Sequence, residues 1–407
     1  MWILITHIML KNHNNKFFLY NRYLKKSYEI NLMFYSTQGE HININEIRGI
    51  KSDSNFKVSK KILTRTKFPM CQEINYKKNQ ITNPDSELNL EETLYDLRKA
   101  AEIHKNVRKY AQTLIKPGMD SLDFCNQLEE MNRKLHNYQE LNSGIGFPTG
   151  FSINNCAAHF TPTIGDKIIV NKNDVVKVDF GSHINGRIID SAFTFSFDPK
   201  YDELLKAAQE ATNTGIKEAG IDVRLGELGG HIQETMESFE IELNGKIIPI
   251  KPVRNLGGHN IKPYHIHGGK LIPCIKTNDM TKMEEGEIFA IETFATTGSG
   301  IVKEMDPTSH YMKNENHQFV DLKIKSYKKM LNDINTKFNT LPFCDKWLSQ
   351  YTDNKNSQII LNKLSDLNVI KKYPPLYDLD NSYVAQYEHT IILKSTAKEV
   401  LSKSSDY

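Results

Sequence analysis

The chain has 407 residues, 39% of them hydrophobic and 25% charged, enough apolar side chain for one large core or two to three smaller ones; this excludes a wholly disordered polymer. Its net charge of +3 is uneven, with +9 on residues 1–80 and −6 on the remainder, so a basic stretch precedes a mildly acidic body. Five cysteines without a CxxC pair argue against a disulfide framework or a cysteine zinc site and suit a reducing compartment, and the absence of any run of about 18 apolar residues excludes a conventional membrane span.

Residues 1–85 are rich in Lys and Asn, lack sustained periodicity, and read as a poorly ordered arm. The apolar opening Met1–Leu10 has no basic flank before it and no small-residue cleavage site after it, so no cleaved secretory signal is expected, and Met33 offers an alternative start. Order begins near Leu88: Leu90, Leu94, Leu97, Ala101 and Leu114 recur at helical spacing until Lys116-Pro117-Gly118, and Asp120-Ser121 opens a second helix through Leu135. Two β-rich runs, 174–182 and 187–197, flank Asn185-Gly186, a strong hairpin signal. Helices are expected from Asp198-Pro199 to Gly220 and over 224–240, and strands over 286–297 and 383–393. Between those strands the pattern turns helical again, closed by Tyr373-Pro374-Pro375. The body, 86–407, therefore reads as α+β, with helices on a mostly antiparallel sheet and a helical insertion over 313–372.

The hairpin places chemistry. With a two-residue turn at Asn185-Gly186, Ile184 faces Arg187 and Asp179 faces Ala192. Side chains alternate with period two, so Asp179 and Asp190 emerge on one face as diagonal neighbours, about 7–8 Å apart at the backbone. A lone strand Asp more often caps a loop or pairs with a cation such as Arg187. Two on one face among Val176, Val178, Phe180, Ile188, Ile189 and Phe193 repel each other and lose hydration, which favours a metal between them. Glu292 and Glu388 repeat the oddity inside apolar runs, and a buried unpaired carboxylate costs several kcal/mol. Imidazoles to complete an N/O site are available at His259, beside Gly257-Gly258, at His265 and His267 on one face of an extended segment, and at His159, in a loop-like run before Thr161-Pro162. Carboxylates with an imidazole suit Mn, Fe, Co or Zn, and about −4 of charge suggests two divalent ions, the makings of a dinuclear metallohydrolase.

The ordered set Asp179-Phe180-Gly181, Gly186–Asp190, Gly258-His259, Ile291–Phe294 and Gln386–Thr390 resembles the methionine aminopeptidases. Phe147–Gly150, Asn155–His159, Ser309–Asn314 and the insertion before Tyr373–Leu376 make the likeness one to type 2 members, running from about Leu90 to Tyr407. The resemblance implies a pita-bread (creatinase/aminopeptidase) fold, a curved antiparallel sheet backed by helices. It also implies co-translational removal of the initiator methionine before a small second residue, by a hydroxide bridging two metals. Asp179 would bind one ion, Asp190 and Glu388 would bridge, and His259 and Glu292 would complete the other; Glu292 would also shuttle a proton, and His159 and His267 would contact the substrate. Phe147, Ile266, Phe294, His310, Pro342 and Tyr373 would wall the methionine pocket. Nascent N-termini are the implied partners, in the cytoplasm, for a monomer with transient ribosome contact through its basic arm. Gly257 stands where relatives often carry Asn, which is expected to loosen the loop holding His259, and Pro342 where Ala is common, which is expected to alter the pocket. Alternatives are an X-Pro aminopeptidase of the same fold and a non-catalytic relative that binds RNA or protein.

Overall fold

The computed structural model describes residues 47–51, 53, 56–58, 62, 67–76, 90–137, 139, 141–316, 322–351 and 357–407, and residues 43–407 form one compact unit. Most of the stretch expected to be an arm, and with it Met1–Leu10 and Met33, lies outside the described residues. Its described parts are integrated into the body. Gln72–Asn75 is an edge strand paired with Ala397–Val400, Ile62 and Phe68 are buried, and Arg48 is hydrogen-bonded through two nitrogens to Asp202. The sequence Gln-Glu-Ile-Asn carries no alternation that would announce a strand; its partner, more than three hundred residues away, makes it one.

Every strand pair named among the described residues is antiparallel. The hairpin Val175–Ile184/Arg187–Ser196 has the expected register, Ile184 opposite Arg187 and Asp179 opposite Ala192, and Asn185 and Gly186 both take positive φ, 48° and 75°, as a turn matched to strand twist requires. Gly150–Ile153 and Ser143–Ile145 line its outer edge. A larger sheet runs in the order 72–75, 397–400, 384–393, 288–296, 257–261, 271–273. The long strands Ile288–Thr296 and Val384–Leu393 are buried along their whole length, with helix Asp202–Glu218 packed on both and strand Arg187–Ser196 against the second.

The hairpin and the larger sheet meet along Arg187–Ser196 and Val384–Leu393, stitched by two buried threonines. Thr194 Oγ1 donates to the Gln386 carbonyl at 2.6 Å and accepts from its amide at 2.7 Å. Thr390 Oγ1 does the same for Asp190, at 2.6 and 2.8 Å. Each hydroxyl completes a backbone donor and acceptor that the seam would otherwise leave unpaired, and the stitch at Asp190 sets it beside Glu388.

Helices back the sheets, Leu225–Glu237 among them. Leu90–Thr113 buries Leu97, Ala100, Ala101, His104, Val107, Arg108 and Ala111, an i, i+3/i+4 stripe with charge on the other face. Asp202–Glu218 presents Leu204, Ala208, Ala211, Thr212 and Gly215, small enough at Gly215 that a Cβ there would lie 2.8 Å from Ile291. A 3₁₀ turn, Pro199–Tyr201, occupies the expected first turn of that helix. The insertion holds helices Lys325–Lys337, Asp345–Tyr351 and Ser357–Asp366 around its own core of Met330, Ile334, Phe343, Trp347 and Leu361. It is tied to helix Ser121–Leu135 through buried Glu129, which accepts from Lys346 Nζ at 3.2 Å and Trp347 Nε1 at 2.7 Å. Among the described residues no helix is long and apolar enough to cross a membrane.

Candidate metal centre

Register brings four carboxylates to one patch. Asp190 faces Gly181, so Asp179 and Asp190 stand diagonally on one face of the hairpin, and Glu292 faces Glu388 directly across the longer strand pair. His259 enters from Gly257–Ile261, which pairs with Ile288–Thr296 opposite Ala290. Ligand atoms of Asp190, His259 and Glu388 lie within 4.8 Å of one another, as do those of Asp179, Glu292 and Glu388. Glu388 thus belongs to both groups. The His259 Nε2 to Asp190 Oδ2 distance is 3.7 Å.

The patch is built to hold positive charge. Buried atoms without a hydrogen-bond partner include Asp179 Oδ1, Asp190 Oδ1, both Glu388 oxygens and His259 Nδ1. Such concentration of unmet acceptors on facing strands is costly unless cations satisfy them. Burial raises the Asp179 carboxyl to about 7, and burial together with repulsion from Asp179 pushes Asp190 well above the carboxylate range. Glu292 and Glu388 rise likewise, by burial first and then by neighbouring carboxylates. A buried cluster of mutually repelling carboxyls and an imidazole kept neutral by burial are the donors a divalent ion takes.

A cavity of about 190 Å³ opens onto this patch, and His159, His267, Phe147, Ile266, Phe294, His310, Pro342 and Tyr373 all line it, with Asp179, Asp190, His259 and Glu292. Glu388, 1% exposed, lies behind the wall. The rings are neighbours: His259–His267 centroids are 4.6 Å apart, His159–Tyr373 5.8 Å and His159–His310 6.1 Å. His159 ends strand Cys156–Ala158 with φ of 65°, and burial lowers its imidazole to about 4, leaving it neutral.

Two expectations are corrected. His265 does not share a face with His267: the run is not extended but turns at Pro263-Tyr264 and bends at Ile266, between the two, and His265 pairs with Glu315 on the surface at 2.7 Å. Gly257 loosens nothing, being a buried residue of a paired strand, where a Cβ would lie 2.1 Å from the Ile272 carbonyl oxygen. The sequence reading also passed over Gln386, whose Nε2 donates to Asp179 Oδ2 at 3.1 Å and Glu292 Oε1 at 2.5 Å, bridging the two strand pairs. Its position two residues before Glu388 in a strand was the available signal, since that spacing puts both on one face.

The pattern of metallopeptidase family M24 matches residues 96–322, more than half of the chain. Methionine aminopeptidase 2 of Schizosaccharomyces pombe is 49% identical over 353 residues, 85% of this chain and 83% of that protein. Methionine aminopeptidase 2-2 of Aspergillus niger is 52% identical over 320 residues, covering 77% and 74%. This chain belongs to metallopeptidase family M24, in its methionine aminopeptidase 2 group. Solved structures agree on the fold: a thermophilic Arx1 superposes with a TM-score of 0.67 at 18% identity, over 78% of this chain and 92% of that one. Methionine aminopeptidase from Thermotoga maritima gives 0.52 at 20%, over 80% and 99%. Both cover the pita-bread architecture of the M24 family. A family of metallopeptidases requires divalent metal, and the unmet oxygens of the four carboxylates are where this member has the donors for it.

Proposed function

We propose that this protein is a metal-dependent methionine aminopeptidase that removes the initiator methionine from nascent polypeptides, preferring a small second residue. The observation that carries the reading is the juxtaposition of the carboxylate–histidine cluster with a cavity walled by Phe147, Ile266, Phe294, His310, Pro342 and Tyr373. Aromatic and aliphatic walls suit an unbranched, polarizable thioether. Asp179, Asp190, His259, Glu292 and Glu388 would hold two divalent ions, Mn, Fe, Co or Zn. Bound there, the ions would supply Lewis acidity for the scissile carbonyl and for an attacking water near neutral pH.

The protein's own groups do the rest. Glu292 takes the proton of the attacking water and passes it to the departing amide nitrogen. His159 and His267 flank the carbonyl and donate hydrogen bonds as negative charge develops on its oxygen. Burial keeps His159 neutral, so it adds no positive charge beside the ions. The enzyme acts in the cytoplasm as a monomer, and the basic charge before residue 80 gives it transient contact with the phosphate-rich ribosome.

The decisive assay uses the full chain, dialysed metal-free and titrated with Mn or Co, on Met-Ala-Ser and Ala-Pro-Ser in parallel, with Glu292→Ala as control. Metal-dependent release of Met from the first peptide alone is expected. Cleavage of only the second would make it an X-Pro aminopeptidase, and bound metal with no cleavage of either would leave a non-catalytic binding protein. His159→Ala is expected to keep its metal and lose mainly kcat, by about 100-fold, the scale of one transition-state hydrogen bond; full kcat would remove His159 from the mechanism.

A further inference from the structure

We infer that Tyr264 is a positioning residue for substrate binding, a clamp that fixes the Ile266–His267 segment against both the carboxylate hairpin and the insertion. The inference rests on the aminopeptidase reading of the same cavity. Ten non-glycine residues among those described have positive φ; eight are Asn or Asp, which tolerate that region, and the other two are His159 and Tyr264. His159 lines the cavity, and Tyr264 lies two residues before Ile266, which does too. An aromatic side chain held in the left-handed region persists only where its surroundings over-determine it.

Those surroundings come from three separate segments, the hairpin turn, the stretch before Pro342 and Leu141, which lie behind the cavity lining. The Tyr264 amide donates to the Gly186 carbonyl at 2.9 Å, and its ring lies against the hairpin turn so closely that a Cβ at Gly186 would be 2.3 Å from it. That turn closes the hairpin bearing Asp179 and Asp190. The Tyr264 carbonyl accepts from Thr340 Oγ1 at 2.7 Å, two residues before the pocket residue Pro342. The phenol donates to the Leu141 carbonyl at 2.9 Å. Reciprocal backbone bonds between Lys262 and His265, both 2.9 Å, close the turn and aim the chain so that Ile266 and His267 enter the cavity. Tyr264 itself lines no part of the cavity wall, so its effect passes through Ile266, His267 and Pro342.

Thr340→Val and Tyr264→Phe each delete one of these hydrogen bonds while keeping the packing. In the metal-loaded full chain, each is expected to raise KM for Met-Ala-Ser about fivefold, the equivalent of one net hydrogen bond, with kcat within about twofold of wild type and metal stoichiometry unchanged. The double variant is expected to raise KM by less than the product of the two, because both bonds hold one segment. Tyr264→Gly, which accepts the φ but loses the clamp, is expected to raise KM further; should it fail to fold, the two conservative variants still decide. Unchanged KM in both would overturn the inference, as would parallel loss of kcat, KM and metal content, the mark of a merely structural role. A wild type that releases no methionine sinks the aminopeptidase reading instead, whereas an active wild type with unaffected variants sinks the clamp alone.

Discussion

The hairpin 175–196 and the strand pair 288–296/384–393 each deliver two carboxylates to the same patch, but they are held in register by different means. The hairpin is closed by two residues, and its turn geometry dictates that Asp179 and Asp190 sit diagonally. The other pair is joined only by the connection 297–383, insertion included, and sets Glu292 directly opposite Glu388. Like charges directly opposite on a sheet are destabilising, so the second pair depends on outside help. Thr212 ties helix Asp202–Glu218 to both strands, donating to the Tyr387 carbonyl and sharing a 2.8 Å bond with Thr293, and Asp378 gathers Thr296, Ser299 and Gly300 at the strand's end. A local turn can fix one half of a site; the other half is fixed by everything packed around it.

The largest losses are expected at the ligands. Asp190→Ala and Glu388→Ala, one from each strand pair, are each expected to lose metal and activity together, by more than the roughly 10–100-fold that outer-sphere losses cost. Metal analysis beside the peptide assay checks this, and full activity in either would remove that residue from the centre. Gln386→Ala removes a side chain bonded to a carboxylate of each pair, and a loss of about 10–100-fold in metal affinity is expected from isothermal titration.

Next comes the network behind both pairs. Arg108, fully buried, forms a two-nitrogen ion pair with Asp406 at 2.7 and 2.9 Å and donates to Ser191 beside Asp190, while Tyr407 stacks on His389 beside Glu388. Arg108→Met strands a buried carboxylate and is expected to cost about 3–5 kcal/mol in denaturant unfolding. Burial alone would raise the Asp406 carboxyl, but Arg108 and Gln112 hold it below its usual value. Its stabilisation is therefore present above the unfolded carboxylate pKa of about 3.9 and is lost as pH falls through the lower folded value. In Arg108→Met that acid-side loss is expected to vanish, and unfolding curves measured from pH 5 downward would show it. The smallest effect sharpens the comparison itself. Chelating the metal is expected to speed amide exchange in 288–296 and 384–393 more than in 175–196, because only the first pair sets carboxylates face to face. Equal acceleration in both would mean that the turn confers no independence on the hairpin.

Much of the fold was legible because it is local. Helical spacing located Leu90–Thr113 and Ser121–Leu135 nearly to their ends, and Asn185-Gly186 gave the hairpin register to the residue. Short elements escaped: Gln72–Asn75 has no alternation, and Phe343–Cys344, inside the stretch expected to be helical, pairs with His310–Lys313 before Asp345–Tyr351 begins. His265 was misplaced because the chain bends at Ile266, so the alternation of an extended strand does not hold between 265 and 267.

By itself the sequence determined which side chains would be too costly to bury alone: Asp179, Asp190, Glu292 and Glu388 stand in apolar strands, and that incongruity needs no neighbour to be seen. It also determined their faces, since alternation is a property of the strand. Only the tertiary structure decided that they converge. That required Thr194 and Thr390 to stitch two sheets along a seam, Gln386 to reach across it, and Tyr264 to bend the chain so that Ile266 and His267 close the cavity. Those contacts join residues far apart in the chain, and no local rule of turn, period or propensity reaches across such a separation.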